Sequence, residues 1–286
     1  MEIPPLPPIN LDEYRWKQSE TEPGLWQRRA CGSEAIVGIE SYNKRGENDL
    51  FTSATVQLSN GNLTLKEVQQ AAQRAWLVLR SKHPQIACSV AHDGQVKCLI
   101  QYRAPKDDKE AQEWAERTVI PEVSKRGHLD VRDGYIKDLL ANGPKSADAT
   151  TIHIAASVPD LDSPLQDAEV SFVFHSNHLY YDGIGLREMI GAFFRDFAIE
   201  LGRDSSVAAE KVNWEKSVQN LTPACAELLG SGQEISGPSF DDALKDQLGS
   251  IMRVMVSSRL PFCARSAHTL MPYREATGFK LEMIPK

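Results

Sequence analysis

The strongest periodic pattern in the sequence lies between Ile184 and Leu201. Apolar side chains recur there with the spacing of an α-helix, and charged residues such as Arg187 and Asp196 occupy the opposite face. The apolar stripe consists of Leu186, Met189, Ile190, Phe193, Phe194 and Phe197. The pattern predicts a long helix whose apolar face packs as core against a sheet that includes the strand predicted at 170–174.

A second helix is predicted from a capping box at Thr64-Leu65-Lys66-Glu67. Thr64 is the expected N-cap, Glu67 is expected to reach back to it, and Pro84 ends the helix. One face of this helix carries Leu65, Val68, Ala72, Trp76 and Leu79.

Short runs of β-branched and aromatic residues predict strands between these helices. They fall at 51–58, 86–91, 95–102, 152–158 and 170–174, with further helices at 110–119 and 240–256. A turn at His92-Asp93-Gly94 would place Cys88 opposite Cys98, whereas residues 1–30 are expected to form an extended arm. This order of elements favours an α/β or α+β fold, with helices laid against a mixed sheet.

Composition narrows the classes of partner. The net charge of −7 leaves no excess of basic residues to bind nucleic acid. The sequence contains no run of 18 apolar residues, so no membrane span is predicted. The acidic, proline-broken start does not resemble a signal peptide, so a cytoplasmic location is expected. An odd number of cysteines without a CxxC pair favours reduced thiols, at Cys31, Cys88, Cys98, Cys225 and Cys263.

Chemistry-bearing residues concentrate between the strand at 170–174 and the long helix. His175 and His178 lie in a polar segment that Asp182 and Gly183 connect to the helix. A histidine can remove a proton from a hydroxyl near neutral pH. Asp182 is suited to cap the helix or to pair with an arginine, while Gly183 and Gly185 would permit close approach or positive φ.

The segment His178-Leu179-Tyr180-Tyr181-Asp182-Gly183 resembles the HxxxDG core of a large acyltransferase superfamily. That superfamily contains chloramphenicol acetyltransferase, carnitine acyltransferases, plant BAHD acyltransferases and the condensation domains of peptide synthetases. Condensation domains usually carry HHxxxDG, and Asn177 in place of the first histidine favours a CoA-type O-acyltransferase. The proline-rich start, Trp16, Trp26 and residues 220–223 are similar to the fungal trichothecene 15-O-acetyltransferase branch.

This resemblance implies a chloramphenicol-acetyltransferase-like lobe in which His178 is the catalytic general base. Asp182 would be structural and ion-paired with an arginine, and Gly183 would keep a channel open beside the histidine. The implied co-substrate is acyl-CoA, with no permanently bound cofactor and no metal, and the acceptor is a small-molecule alcohol of secondary metabolism, such as a mycotoxin precursor.

The resemblance also implies two lobes with a tunnel between them. The first is expected at residues 1–210, followed at 211–286 by crossover helices and a truncated start of the second. The family's second lobe carries a DFGWG-type motif, whereas this sequence has no tryptophan after Trp214. A missing or incomplete second lobe is therefore expected. A partner could complete the site, and the uncovered apolar face would favour self-association.

Other functions remain open from the residues alone. The set His175, His178 and Asp182 offers zinc ligands, although nothing nearby completes a tetrahedral site. Cys225 and Cys263 are conceivable nucleophiles, but nothing local would lower the pKa of a thiol there. A hydrolase would require a G-x-S-x-G elbow, which is absent. A non-catalytic binding or scaffold lobe of the same family is the main alternative to an enzyme.

Overall fold

The computed structural model describes residues 10–32, 34–38, 49–58, 62–93, 97–123, 128–142, 148, 150–165, 169–203 and 212–228. The helix predicted at 240–256 and Cys263 lie outside these residues. The strands are β1 (Lys17–Gln18), β2 (Leu25–Arg29), β3 (Asp49–Gln57), β4 (Cys88–Asp93), β5 (Lys97–Arg103), β6 (Val119–Val123), β7 (Thr150–Ala156) and β8 (Glu169–Asn177). The longer helices are α1 (Leu65–Lys82), α2 (Asp108–Thr118), α3 (His128–Asn142) and α4 (Gly183–Leu201).

Short helical segments complete the described chain. They are Leu11–Tyr14, Pro84–Ala87, Trp214–Ser217, Val218–Asn220 and Cys225–Leu228, together with residues 34–38. Within the described ranges, no helix is both long enough and apolar enough to cross a membrane.

A mixed sheet forms the centre of the fold, with strand order β3-β8-β7-β6. β8 pairs antiparallel with both β3 and β7, whereas β6 pairs parallel with β7. Helices α1 and α4 cover one face of this sheet. Phe193 of α4 is completely buried there and meets Phe172 and Phe174 of β8 edge to face. The predicted helix-on-sheet core and the mixed α/β class are both confirmed.

The capping box of α1 forms as predicted. The Thr64 hydroxyl accepts from the Glu67 amide at 3.2 Å, and a Glu67 carboxylate oxygen accepts from the Thr64 amide at 2.8 Å. Because these bonds satisfy amides that would otherwise lack partners, they define where the helix begins. The apolar face expected for this helix is fully buried, and the helix ends at Lys82, just before Pro84.

A second sheet, with order β1-β2-β5-β4, was not expected from the sequence. The predicted extended arm is wrong at Leu25–Arg29, which forms β2 and pairs antiparallel with β5. An apolar alternation does not reveal this strand, because Arg28 is one of its buried side chains. The Arg28 guanidinium is only 5% exposed and binds both carboxylate oxygens of Glu34, at 2.8 and 2.7 Å.

The hairpin of β4 and β5 has a different register from the predicted one. His92 and Asp93 belong to β4, so the predicted turn at His92-Asp93-Gly94 is wrong. Cys88 pairs with Tyr102, and Cys98 pairs with His92. The two cysteines therefore do not face each other, because the strands run further before they reverse direction.

Two further elements escaped the sequence patterns. Pro121, which follows the helix predicted at 110–119, lies in β6 at the edge of the mixed sheet, where a missing amide is tolerated. Helix α3 lacks a clear apolar stripe, because the sheet face that it covers is largely polar. That face presents His153 of β7 and His175 of β8, with Val173 as part of a small apolar contact.

Candidate active site

The HxxxDG segment forms a tight turn between the end of β8 and the start of α4. The Tyr180 amide donates to the carbonyl of Asn177 at 3.1 Å, which closes a four-residue turn from 177 to 180. His178 occupies the second position of this turn, and its side chain is exposed to solvent. The structure thus presents the predicted general base on a short backbone segment between two rigid elements.

Side chains of the turn are anchored in both hydrophobic cores. Leu179 is only 4% exposed and packs in the core of the second sheet, whose members include Cys98 and Ile100. Tyr181 packs against the core of the mixed sheet. Because consecutive parts of the turn are held by different sheets, the exposed His178 has a fixed backbone position.

Asp182 is the N-cap of α4. Its Oδ1 atom accepts from the Gly185 amide at 2.6 Å. Among the residues described, its carboxylate has no arginine partner, so the cap is the contact that the structure provides. Asp182 can hold the turn without an ion pair. Its carboxylate caps the helix, and its negative charge lies at the positive end of the helix dipole.

The glycines of this segment differ in what they do. Gly183 and Gly185 both lie in the first turn of α4, and neither has positive φ. A β-carbon at Gly183 would meet nothing within 4 Å, whereas one at Gly185 would lie 3.2 Å from Asp182 Oδ1. Gly185 therefore allows the close contact with its own cap, and the role of Gly183 in keeping a channel open stays a prediction.

His175 is built into the sheet. Its side chain is 6% exposed, its Nε2 lies 2.7 Å from Asp49 Oδ2, and its Nδ1 lies 3.3 Å from the Tyr135 hydroxyl. Phe51 stacks on the imidazole with ring centroids 4.9 Å apart. Both ring nitrogens are therefore engaged, and the zinc set of His175, His178 and Asp182 is not assembled. Within the described ranges, no cluster of three side chains suited to a metal ion occurs.

A second buried histidine, His153, belongs to the same polar layer, although no local pattern in the sequence predicted a site there. His153 Nδ1 lies 2.6 Å from Glu122 Oε1, and Tyr135 of α3 lies over its ring with centroids 4.3 Å apart. The alternation of polar and apolar side chains along β7 could have indicated this polar layer, because Thr151 and His153 face one side of the sheet and Ile152 faces the other. The partners Asp49, Glu122 and Tyr135 are too distant in sequence for local patterns to connect them.

The described cysteines are free thiols, and the buried ones are unsuited to nucleophilic catalysis. Cys31, Cys88 and Cys98 are buried and Cys225 is exposed. Burial raises the pKa of the Cys88 thiol to about 12 and that of Cys98 to about 11. Near neutral pH these two side chains therefore remain protonated and weakly nucleophilic.

Comparison with known proteins adds independent support for the resemblance of the motif. A family model described as 15-O-acetyltransferase Tri3 matches residues 3–270. A trichothecene 15-O-acetyltransferase from Fusarium sporotrichioides is 30% identical over 262 residues, which are 90% of this chain and 50% of the relative. A trichothecene O-acetyltransferase from Trichoderma arundinaceum is 33% identical over 249 residues, 84% of this chain and 48% of the relative.

A solved structure agrees with these sequence matches. The structure of the Fusarium sporotrichioides trichothecene 15-O-acetyltransferase superposes with a TM-score of 0.76 and 30% sequence identity. The match covers 87% of this chain and 50% of the solved chain. The chain thus spans about half the length of the relatives that it matches. By fold, motif and sequence, the chain belongs to the 15-O-acetyltransferase Tri3 family.

Proposed function

We propose that this chain supplies the general base of an acyl-CoA-dependent O-acetyltransferase, with His178 as the catalytic residue. The observation that carries the proposal is the exposed His178, held on a rigid turn between β8 and α4 in a member of this family. Active-site groups require such fixed backbones, because small displacements cost large factors in rate.

The chemistry assigned to His178 is a proton relay. Its imidazole removes the proton from the acceptor hydroxyl as that oxygen attacks the thioester carbonyl of acetyl-CoA. A carbon–oxygen bond forms and the carbon–sulfur bond breaks. The CoA sulfur then takes the proton from the imidazolium and leaves as the free thiol. Histidine suits both steps, because imidazole exchanges protons near neutral pH.

The proposed acceptor is a hydroxyl of a trichothecene-like secondary metabolite, and the donor is acetyl-CoA. Support comes from the relatives in Fusarium and Trichoderma, which are named as trichothecene O-acetyltransferases. The product would belong to mycotoxin biosynthesis. A cytoplasmic location is proposed with it, because the donor is an intracellular metabolite.

The site is proposed to need a second lobe, since the matched relatives are about twice as long as this chain. The surface beside the motif is consistent with a partner there, because Ile184, at the start of α4, is 73% exposed. The proposed first lobe covers residues 1–210, with the crossover and the start of the second lobe at 211–286. The described part of the crossover packs on the body, where Trp214 Nε1 donates to Asp108 Oδ1 at 2.9 Å.

The proposal is tested by comparing acetyl transfer by the wild-type chain with that by two histidine variants, each assayed with a second lobe supplied. His178→Ala should lower kcat by about 10² to 10⁴-fold, the usual effect of losing a general base. His83→Ala is the matched control, because His83 is also exposed but lies at the far end of α1. Full activity in His178→Ala would contradict the assignment.

The second candidate function is a non-catalytic lobe that binds a substrate or a partner without turnover. The chain spans about half the length of the relatives that it matches, so binding and turnover by this span are measured separately. Isothermal titration with acetyl-CoA and with a trichothecene alcohol distinguishes the two. Binding without transfer, even when a second lobe is supplied, would favour the binding lobe.

A further inference from the structure

Asn177 accepts two hydrogen bonds that together enclose His178. Its backbone carbonyl accepts from the Tyr180 amide at 3.1 Å, and its side-chain Oδ1 accepts from the Leu179 amide at 2.9 Å. Building on the proposed function, we propose that Asn177 is a positioning residue, whose side-chain oxygen fixes the backbone from which His178 projects.

The two bonds act on the two peptide groups that flank His178. The carbonyl bonded to Tyr180 belongs to the peptide before His178, and the amide bonded to Asn177 Oδ1 belongs to the peptide after it. Fixing both peptide planes fixes φ and ψ of the residue between them. The direction of the His178 side chain is then limited to its own rotamers.

Asparagine suits this position for a chemical reason. Its short side chain readily accepts from the amide two residues further on, which is why it is favoured at the first position of such turns. An imidazole at the same position could gain a proton near neutral pH and cease to accept a hydrogen bond. An amide oxygen does not change its protonation state, so the turn persists over the pH range in which histidines titrate.

Neighbouring contacts hold Asn177 itself in place. Asn177 is the last residue of β8 and pairs with Asp49 of β3. Asp49 also holds the next inward side chain of β8, with Oδ2 2.7 Å from His175 Nε2. On the other side, Leu179 is buried in the second sheet's core. The side-chain bond to Leu179 therefore connects two anchored points across one exposed residue.

The test uses two variants that differ by one oxygen atom, Asn177→Ala and Asn177→Ser. A serine hydroxyl makes the same turn bond more weakly, and alanine makes none. Asn10→Ala is the matched control, because Asn10 Oδ1 accepts from the Asp12 amide two residues on, at 3.2 Å, in the first described segment of the chain. All variants are made in the full chain.

Hydrogen exchange at the Leu179 amide reports the turn bond directly. Asn177→Ala should speed this exchange by about 2- to 10-fold, the factor that corresponds to losing one net hydrogen bond. Asn177→Ser should fall between Ala and wild type, and Asn10→Ala should match wild type. Unchanged exchange in Asn177→Ala would overturn the proposal.

Acetyl transfer reports whether the bond positions His178. Asn177→Ala should lower kcat by about 10- to 100-fold with KM for acetyl-CoA changed by less than about twofold, and Ser should restore part of the loss. An unchanged kcat in Asn177→Ala would overturn the proposal. If the wild-type chain has no turnover even when a second lobe is supplied, the proposed function fails on its own. The carbethoxylation rate of His178 then replaces kcat, and an equal rate in wild type and Asn177→Ala would overturn the positioning role.

Discussion

His175 and His178 lie on the same short segment, yet their surroundings differ completely. His175 has a carboxylate on one ring nitrogen, a tyrosine hydroxyl on the other and a phenyl ring stacked on its face. His178 lies at the exposed tip of a turn. Of the two, only His178 is accessible to a substrate. The structural histidine lies within β8, and the candidate catalyst lies just beyond the end of that strand.

This difference predicts the order in which the histidines react with diethyl pyrocarbonate. His178 should be carbethoxylated rapidly in the native protein, whereas His153 and His175 should react only on unfolding, because the sheet and α3 cover them. Peptide mass spectrometry after timed labelling measures each rate. Modification of His175 as fast as His178 would show that the polar layer under α3 is open.

The thiols should show a similar division. Near pH 8, iodoacetamide should modify Cys225 in the native chain, while Cys88 and Cys98 resist because burial raises the pKa of both thiols. Denaturation without reductant should release all five cysteines of the sequence as free groups. A count of three would reveal a disulfide and contradict the reduced state expected from the sequence.

Helix α4 could be predicted from the local sequence pattern alone. Its stripe of apolar residues is wide, its N-cap precedes it immediately, and its core face is buried as expected. The capping box of α1 gave a similarly clear start. The capping box lies within one helical turn and the stripe within about three turns of continuous sequence, so no distant contact had to be inferred.

Strands β2 and β6 and helix α3 could not be predicted in the same way. β2 buries Arg28 against Glu34 and pairs with β5, about 75 residues later in the sequence. β6 contains Pro121, which normally argues against a strand. α3 covers a polar face, where Tyr135 contacts two histidines, so it carries no apolar stripe. In each case a tertiary partner determines the element, and the local sequence does not reveal that partner.

The packing of α4 predicts a large effect on stability. Phe193→Ala should lower the free energy of unfolding by about 3–5 kcal/mol, because the ring is fully buried among the aromatic residues of β8 and α4. Ile199→Ala on the same helix is the control, since Ile199 is 63% exposed. Chemical denaturation measures both. A loss below about 1 kcal/mol for Phe193→Ala would mean that the stripe is not core.

At the scale of the whole molecule, the motif and its context identified the acyltransferase fold, and the Tri3 family match agrees with that identification. The mixed sheet follows from the strand and helix order, whereas the second sheet depends on pairings between residues about 75 positions apart, such as Trp26 with Tyr102. That sheet matters to the site, because its core receives Leu179. The local sequence around the turn therefore does not reveal the contact of Leu179 with the second sheet, which helps to hold the turn in place.

The most direct measurement is acetyl transfer from acetyl-CoA to a trichothecene alcohol by this chain mixed with the unmatched half of the Fusarium sporotrichioides relative. Complex formation is checked first by analytical ultracentrifugation. If His178 is the general base, the mixture containing wild-type chain should form the ester, and the His178→Ala mixture should be slower by about 10² to 10⁴-fold. Equal rates in the two mixtures, or no transfer from a stable complex, would contradict the assignment.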